Sequence, residues 1–334
     1  MGQQHEDGWF PWLPGGGTTF NTQGPTARGL LKSYQVTGIQ AYLDAAVKTG
    51  DYMISTDYYG DGTTGEYTWD NNEPKFASHD PLFLEELSMV TGDSTYSDYV
   101  DTWLWQKLET GGYGDAPETT KALANRMVLG RSGDLVNLPG YDIGPLAIAA
   151  HLAGKGDIIN DLMEDGILYW LENRFELETD YDVVGLAGAV YASAVTGYNL
   201  NPTEGDLSAY NSTAELAALL AGWTQEDNDG AWLYNSDHEI YDGTGSLQST
   251  AFALKALASL NDPIYDDQII AGIEFICSLQ IEEGDNTGAF SSSDTNGDVN
   301  VMVNGDALAG IGVALGYYLH SRNFIPMISN NPYK

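Results

Sequence analysis

The sequence predicts an all-α fold, an (α/α)6 toroid (barrel) of about twelve helices in inner and outer rings, and three observations carry that expectation. A hairpin motif recurs along the chain. A Tyr-Asp motif recurs at the opposite end of the same helices, and small apolar helices alternate with amphipathic ones. Ser33-Tyr-Gln-Val36-Thr-Gly38 returns as Leu87-Ser-Met-Val90-Thr-Gly92 and again as Val195-Thr-Gly197, with His151-Leu-Ala-Gly154 in the intervening place. The steps are 54 residues from Val36 to Val90 and 105, about twice that, from Val90 to Val195. Each copy ends an apolar helix with a glycine suited to the left-handed C-cap, so each copy is the bend of a helical hairpin.

In chain order, Asn21-Thr-Gln23-Gly-Pro25 introduces an inner helix from Thr26 to Gly38, and an amphipathic helix from Gln40 to Ser55 follows. Ser78-His79-Asp80 introduces Pro81 to Gly92, with Thr95 to Glu109 behind it and Pro117 to Leu129 as an extra helix. Gly140-Tyr141-Asp142-Ile-Gly144 precedes Pro145 to Gly154, then Asp157 to Glu172. Asp180-Tyr181-Asp182-Val-Val-Gly185 precedes Leu186 to Gly197, then Asp206 to Trp223. Ile240-Tyr241-Asp242-Gly-Thr-Gly245 precedes Ser246 to Leu260, then Tyr265 to Leu279, and Asn304-Gly-Asp306 precedes Ala307 to Gly316. A helix packed on both sides uses Ala and Gly so that its neighbours approach closely, whereas a helix with one wet face shows the 3.6-residue stripe. The expected organisation is an aromatic N-terminal extension over 1–24, a single toroid over 25–323 and a tail over 324–334.

Composition excludes several partner classes. The 334 residues carry 48 acidic and 13 basic side chains, a net charge of −35, which repels nucleic acid and anionic headgroups. A hydrophobic content of 43% is nevertheless that of a packed globule. No apolar run reaches the ~18 residues of a membrane span. The opening Met1-Gly-Gln-Gln-His-Glu6 lacks the basic and apolar regions of an export signal. Acidic, Lys-poor composition with Asp ahead of Glu is nonetheless the pattern of a secreted, cell-surface or salt-adapted (halophilic) protein, so an extracellular setting is expected, any signal having been removed. Cys277, the single cysteine, rules out an internal disulfide and falls in an apolar helix, where burial is expected. The five histidines show no ligand-pair spacing, so zinc is not expected.

Two resemblances follow from these residues. Gly230-Ala-Trp232, Ser246-Leu-Gln-Ser-Thr-Ala-Phe-Ala-Leu-Lys-Ala-Leu-Ala258, Ile270-Ala-Gly-Ile-Glu-Phe-Ile-Cys-Ser-Leu-Gln280 and Gly288-Ala-Phe290 resemble the repeat of prenyltransferases and squalene cyclases, over about a quarter of the chain. The paired Val-Thr-Gly hairpins look more like the six-hairpin toroids of glycoside hydrolases and polysaccharide lyases, over most of it. Departures weigh against isoprenoid chemistry. The cyclase acid would need Asp-x-Asp-Asp, whereas Asp180-Tyr-Asp182 is followed by Val183, and the zinc set of protein prenyltransferases is not matched.

The Tyr-Asp loops are expected to open at one end of the ring and to bring His79, Asp80, Tyr141, Asp142, Tyr181, Asp182, Tyr241, Asp242 and Asp306 to one funnel. Paired carboxylates suit glycoside cleavage, one protonating the leaving oxygen and one activating water. Asp142 and Asp182 are the first candidates for acid and base, with Asp80 and Asp242 beside them. Tyr141, Tyr181, Tyr241, His79, Gln248 and Asp306 are candidates for binding sugar. Each Asp equally suits a helix N-cap. Trp9 and Trp12 form either a stacking platform over the funnel or an anchor for the N-terminal segment. The toroid resemblance implies, for lyases acting on uronates, an Arg or Lys against the substrate carboxylate. Among the five arginines only Arg28 lies near the start of an expected inner helix, so a neutral polysaccharide or oligosaccharide is the expected substrate.

The leading expectation is therefore a glycoside hydrolase that requires no cofactor. The alternatives are a non-catalytic toroid that binds a glycan or protein at a cell surface, and a polysaccharide lyase with a Tyr or His base. Rim carboxylates around an open cleft favour the hydrolase, and a plugged funnel favours the non-catalytic toroid. Asp294-Thr-Asn296-Gly-Asp298 has the alternating oxygens of a calcium loop, or of a solvated turn, and Asn211-Ser-Thr213 fits a glycosylation sequon.

Overall fold

A computed structural model describes residues 3–17, 22–55, 78–110, 120–121, 138–177, 179, 182–224, 230–236, 244–293 and 298–321. In chain order the helices are α1 Gln23–Thr37, α2 Gln40–Ser55, α3 His79–Thr91, α4 Thr95–Val100, α5 Gln106–Glu109, α6 Leu138–Leu152, α7 Gly156–Asp161, α8 Tyr169–Asn173, α9 Asp182–Thr196, α10 Thr213–Gly222, α11 Leu247–Ser259, α12 Asp266–Ser278 and α13 Val301–Ser321. Helix α4 runs into α5 through a π-turn at Asp101–Trp105, and α7 into α8 through one at Leu162–Leu168. The chain is an (α/α)6 toroid. Helices α1, α3, α6, α9, α11 and α13 each touch the next, and α13 returns to α1 to close the inner ring. The others pack outside it: α2 on α1 and α3, α4 on α3, α7 on α6, α10 between α9 and α11, and α12 between α11 and α13.

The hairpin bends have the expected chemistry. Gly38, Gly92, Gly154 and Gly197 adopt φ of 69°, 73°, 71° and 76°, the left-handed conformation that lets a helix end while satisfying its last carbonyls. Glycine also sets the ring's diameter. A β-carbon at Gly140 of α6 would sit 1.9 Å from the Gly185 carbonyl oxygen of α9, and one at Gly29 of α1 would sit 2.4 Å from the Gly305 oxygen of α13. Inner helices are therefore in backbone contact. The largest aromatic side chains fill the gap between rings: Trp105 donates to Glu85 on α3 and Trp232 to the Leu220 carbonyl of α10.

Several boundaries differ from the sequence reading. Helix α6 starts at Leu138 rather than Pro145, so Pro145 lies inside it, and Tyr141 and Asp142 are helical residues instead of loop residues. Helix α13 starts at Val301, which puts Asp306 in its second turn. Helix α10 starts at Thr213, behind an N-cap in which the Ser212 hydroxyl accepts from the Glu215 N–H, so the acidic stretch from Asp206 forms turns. Cys277 is exposed, a correction to its expected burial: it stands on the wet face of α12 beside Glu274 and Ser278. The expected helix from Pro117 to Leu129 lies, apart from Thr120 and Lys121, outside the described residues.

The N-terminal segment is tied across the end of the ring where inner helices begin. Phe10 exchanges two main-chain bonds with the Gln23 side chain at 2.7 and 2.8 Å, and Val301 donates to the Trp12 carbonyl at 3.1 Å. These pairings join the starts of α1 and α13. Trp12 is half-buried on the core, and Trp9 stacks on His5 with centroids 4.4 Å apart.

Candidate functional site

Each inner helix begins at one end of the toroid, so residues in the first turns of six helices face a common centre. Around the ring, α1 stands opposite α9, α3 opposite α11 and α6 opposite α13. All three diameters are bridged by side chains. Arg28 of α1 donates to the Tyr191 hydroxyl of α9, the Tyr141 hydroxyl of α6 reaches Met302 Sδ of α13 at 3.5 Å, and the His79 ring of α3 meets Phe252 of α11 edge-on at 6.1 Å. The centre is a floor of packed side chains at this depth.

His79 is the most unusual group on that floor. It opens α3, is 3% exposed and lies 4.6 Å from the Tyr141 ring, which in turn lies 5.1 Å from Phe252. Neither imidazole nitrogen has a side-chain partner, whereas buried polar atoms nearly always have partners. Burial, with Lys255 and Arg28 adding to it against the attraction of Asp306, holds the imidazole neutral and pushes its pKa down to about 3. The Tyr141 main chain approaches the ring and favours the protonated form. Pro145, four residues on, has no N–H to offer that carbonyl.

Beneath His79 lie five buried charges. Lys255 Nζ pairs with Asp306 Oδ1 at 2.9 Å and sits 3.5 Å from the centroid of the Phe252 ring, while Gln248 donates to the other Asp306 oxygen at 3.3 Å. Glu86 accepts two bonds from Arg28 at 2.9 and 3.0 Å and a third from Lys32 at 3.0 Å. Burial works against ionised Glu86, yet Arg28 and Lys32 outweigh it and bring its pKa to about 2. Burial also lowers Lys255, to about 8, with Asp306 opposing that shift. In this network, among the described residues, three cations face two carboxylates inside a protein of net charge −35.

The structure brings together His79, Tyr141, Gln248 and Asp306 from the expected site. Asp80 and Asp182 stand in the first turns of their helices and are engaged by main-chain donors. Asp80 Oδ1 accepts from the Gly24 N–H at 2.9 Å and so caps α1 from the neighbouring helix, and burial raises its pKa well above the ordinary carboxylate range. Asp182, wholly buried at the start of α9, accepts from the Ser236 N–H and hydroxyl and fastens the segment around Ser236. Asp142, 9% exposed, follows Tyr141 on α6. Tyr181, Tyr241, Asp242, Asp294 and Asn296 lie outside the described residues, and Asp298 is exposed. Among the described residues no cluster of three or more His, Cys, Asp or Glu is arranged to hold a metal, and no helix is long and apolar enough to cross a membrane.

Sequence reasoning missed Lys255, Lys32, Glu86, Phe252 and Tyr191. The signal was available: a charged residue within a small-residue helix that packs on both sides has the ring's centre as its remaining direction. The expectation of a neutral substrate counted arginines alone and left out both lysines.

Solved structures that superpose on this chain include several carbohydrate-active enzymes. A cellobiose 2-epimerase from Bacillus thermoamylovorans superposes with a TM-score of 0.59 at 14% identity, over 93% of this chain and 94% of that one. An unsaturated glucuronyl hydrolase specific for heparin gives 0.60 at 14% identity, over 96% and 93%. An inactive variant of an α-1,6-mannanase from a Salegentibacter species, in complex with α-1,6-mannotriose, gives 0.57 at 14% identity, over 94% and 95%. No protein-family model matches the sequence, and no curated protein matches it. At such identities the likeness establishes the six-hairpin toroid fold, and the chemistry has to be argued from the site.

Proposed function

We propose that the protein is a carbohydrate-active enzyme whose reaction centre is the lumenal floor, with His79 as the general base. The observation that carries this reading is a fully buried, neutral imidazole with no side-chain partner on either nitrogen and the Tyr141 main chain beside it, set among Tyr141, Lys255 and Asp306. The imidazole is neutral at any working pH and so free to accept a proton, but with its pKa held at about 3 it becomes an effective base toward a sugar carbon, acidified by an adjacent carbonyl or carboxylate, only when bound substrate raises that value. The Tyr141 hydroxyl is placed to return a proton, and the Lys255 ammonium to stabilise the developing negative charge. Chemistry of this kind is elimination or epimerisation. The superposing structures include an epimerase, and another is a polysaccharide lyase.

Hydrolysis by a carboxylate pair has less support, since Asp80 and Asp182 are engaged by main-chain donors, although Asp142 beside Tyr141 keeps that route in the test. A glycan-binding toroid without chemistry is the second reading, favoured by the three cross-ring contacts that fill the centre. We place the protein's work outside the cell or in concentrated salt, on its charge of −35.

The test is a panel of neutral and uronic glycans assayed for reducing ends, for unsaturated product and for epimerised sugar. Replacing His79 by Gln is expected to lower turnover by about 10²-fold or more while the fold is kept, the usual contribution of a general base. Undiminished turnover in His79→Gln, with loss in Asp142→Asn, would transfer the role to the carboxylate. Binding without turnover in the wild type would leave the glycan-binding reading.

A further inference from the structure

The outward side of α3 holds a titratable group that the floor does not use. Glu86 is bonded to Arg28 and Lys32 of the inner helix α1, whereas Glu85, its neighbour in the chain, turns into the wall between the two rings. It is 5% exposed, and the Trp105 indole donates to its Oε1 at 2.9 Å from the π-turn Asp101–Trp105. We propose that Glu85 is a proton-operated latch between α3 and this π-turn: with its proton on, the wall closes on a neutral hydrogen bond, and with its proton off the seam loosens.

The supply of charge in the wall carries the argument. Lys155, at the bend between α6 and α7, already bonds Asp101 Oδ1 at 2.9 Å and Glu109 Oε1 at 2.8 Å. An ionised Glu85 is therefore a third carboxylate competing for one ammonium, and a buried carboxylate without a counter-charge is costly. Other charges on the helices packed against α3 are committed elsewhere. Arg28 and Lys32 serve Glu86, Lys48 of α2 donates to the His5 carbonyl, Asp51 of α2 accepts from Tyr96, and Asp98 of α4 accepts from Ser94. On α6, His151 is exposed and Asp142 lies in the second turn. Burial pushes the Glu85 carboxyl up to about 7, with the Trp105 bond and Lys155 opposing the rise and Asp101 adding to it. Bonds from Gln106 and Lys155 instead lower Asp101, which stays ionised. One carboxylate of the cluster thus changes charge near neutrality while its neighbour keeps its own.

The element that Glu85 grips is one that yields. A π-turn interrupts the regular hydrogen-bond ladder of its helix, and helices bend at such turns. Trp105 and Asp101 are the two ends of this one, so Glu85 holds one end and Lys155 the other. Helix α3 also carries His79 and Glu86, which sets the latch directly behind the floor, whatever reaction the floor performs.

The sign of the pH effect follows. Glu85 has a folded value of about 7 against an ordinary 4.5, so its proton stabilises the fold fully below pH 4.5, and that contribution is lost as pH rises to 7.

The experiment compares the full chain with Glu85→Gln, which keeps the size of the side chain and an oxygen for the indole but carries no charge. The Trp105 indole N–H resonance, assigned with Trp105→Phe, is expected to shift with a midpoint at about pH 7 in the wild type and to stay still in Glu85→Gln. Amides 101–105, corrected for intrinsic exchange, are expected to be about tenfold less protected in the wild type above that midpoint than below it, and equally protected in the variant. The melting temperature of Glu85→Gln relative to wild type should climb between pH 4.5 and 7 and level off beyond. A wild-type midpoint at the ordinary 4.5, which needs no variant to observe, would overturn the proposal. So would an indole shift that persists unchanged in Glu85→Gln, or wild-type protection that is the same on both sides of the midpoint.

Discussion

The outside of this toroid and its centre follow opposite electrostatic rules. Outside, acidic side chains are numerous and solvated, and the ion pairs they form, such as those of Lys155 with Asp101 and Glu109, are partly exposed and contribute little. At the centre five charges are nearly dry and each is held at about 3 Å by its partner. The comparison teaches that net charge describes a protein's surface and not its interior: a chain of −35 builds, among the described residues, a buried network of three cations and two carboxylates.

The largest effect is expected from breaking the central network on one side. Glu86→Ala strands Arg28 and Lys32 in a buried setting, and a loss of about 3–5 kcal/mol of stability by denaturant titration is expected. A loss below 1 kcal/mol, roughly the surface-pair range, would place these cations in water after all. Next comes the spacing of the ring. Gly140→Ala drives a methyl group into the Gly185 carbonyl, so about 1–3 kcal/mol should be lost, as for other overpacked cores.

Acid should separate the two regions by pH. His79, with an ordinary value of 6.5 lowered to about 3 in the fold, stays neutral while its unfolded counterpart takes up a proton. Its contribution is therefore complete above pH 6.5 and is lost progressively as pH falls from 6.5 toward 3. His79→Gln should flatten the thermal unfolding curve's dependence on pH within that window, and an unchanged slope would contradict the burial argument. A smaller effect is expected at the surface: added salt should raise the melting temperature by relieving self-repulsion. Smallest of all, Glu109→Gln, which removes one of the two carboxylates at the half-exposed Lys155, should leave the melting temperature unchanged within error.

Much of the fold was legible because it repeats. Four Gly C-caps and, among the described residues, five inner–outer hairpins followed by a sixth inner helix are periodic signals, and periodicity survives without any knowledge of contacts. Helix starts were less legible. Pro145 reads as a first-turn residue by its chemistry, yet α6 begins a full two turns earlier because the Gly140 and Gly144 contacts with α9 reward helix there. That shift carried Tyr141 from a loop onto the floor. Asp80 and Asp182 were recognised as helix-start carboxylates, but which N–H each would accept depended on a neighbour far away in sequence, Gly24 in one case and Ser236 in the other. The central lysines did leave a local signal, a charge within a small-residue helix, but the carboxylate each one meets on another helix left none.

The most direct test of the central claim is an imidazole ¹⁵N NMR titration with and without a glycan from the test panel. His79 is expected to remain neutral until about pH 3 and to be the histidine whose ring nitrogens shift when the sugar is added. Titration of His79 near the ordinary 6.5, together with sugar-induced shifts confined to other histidines, would contradict the account.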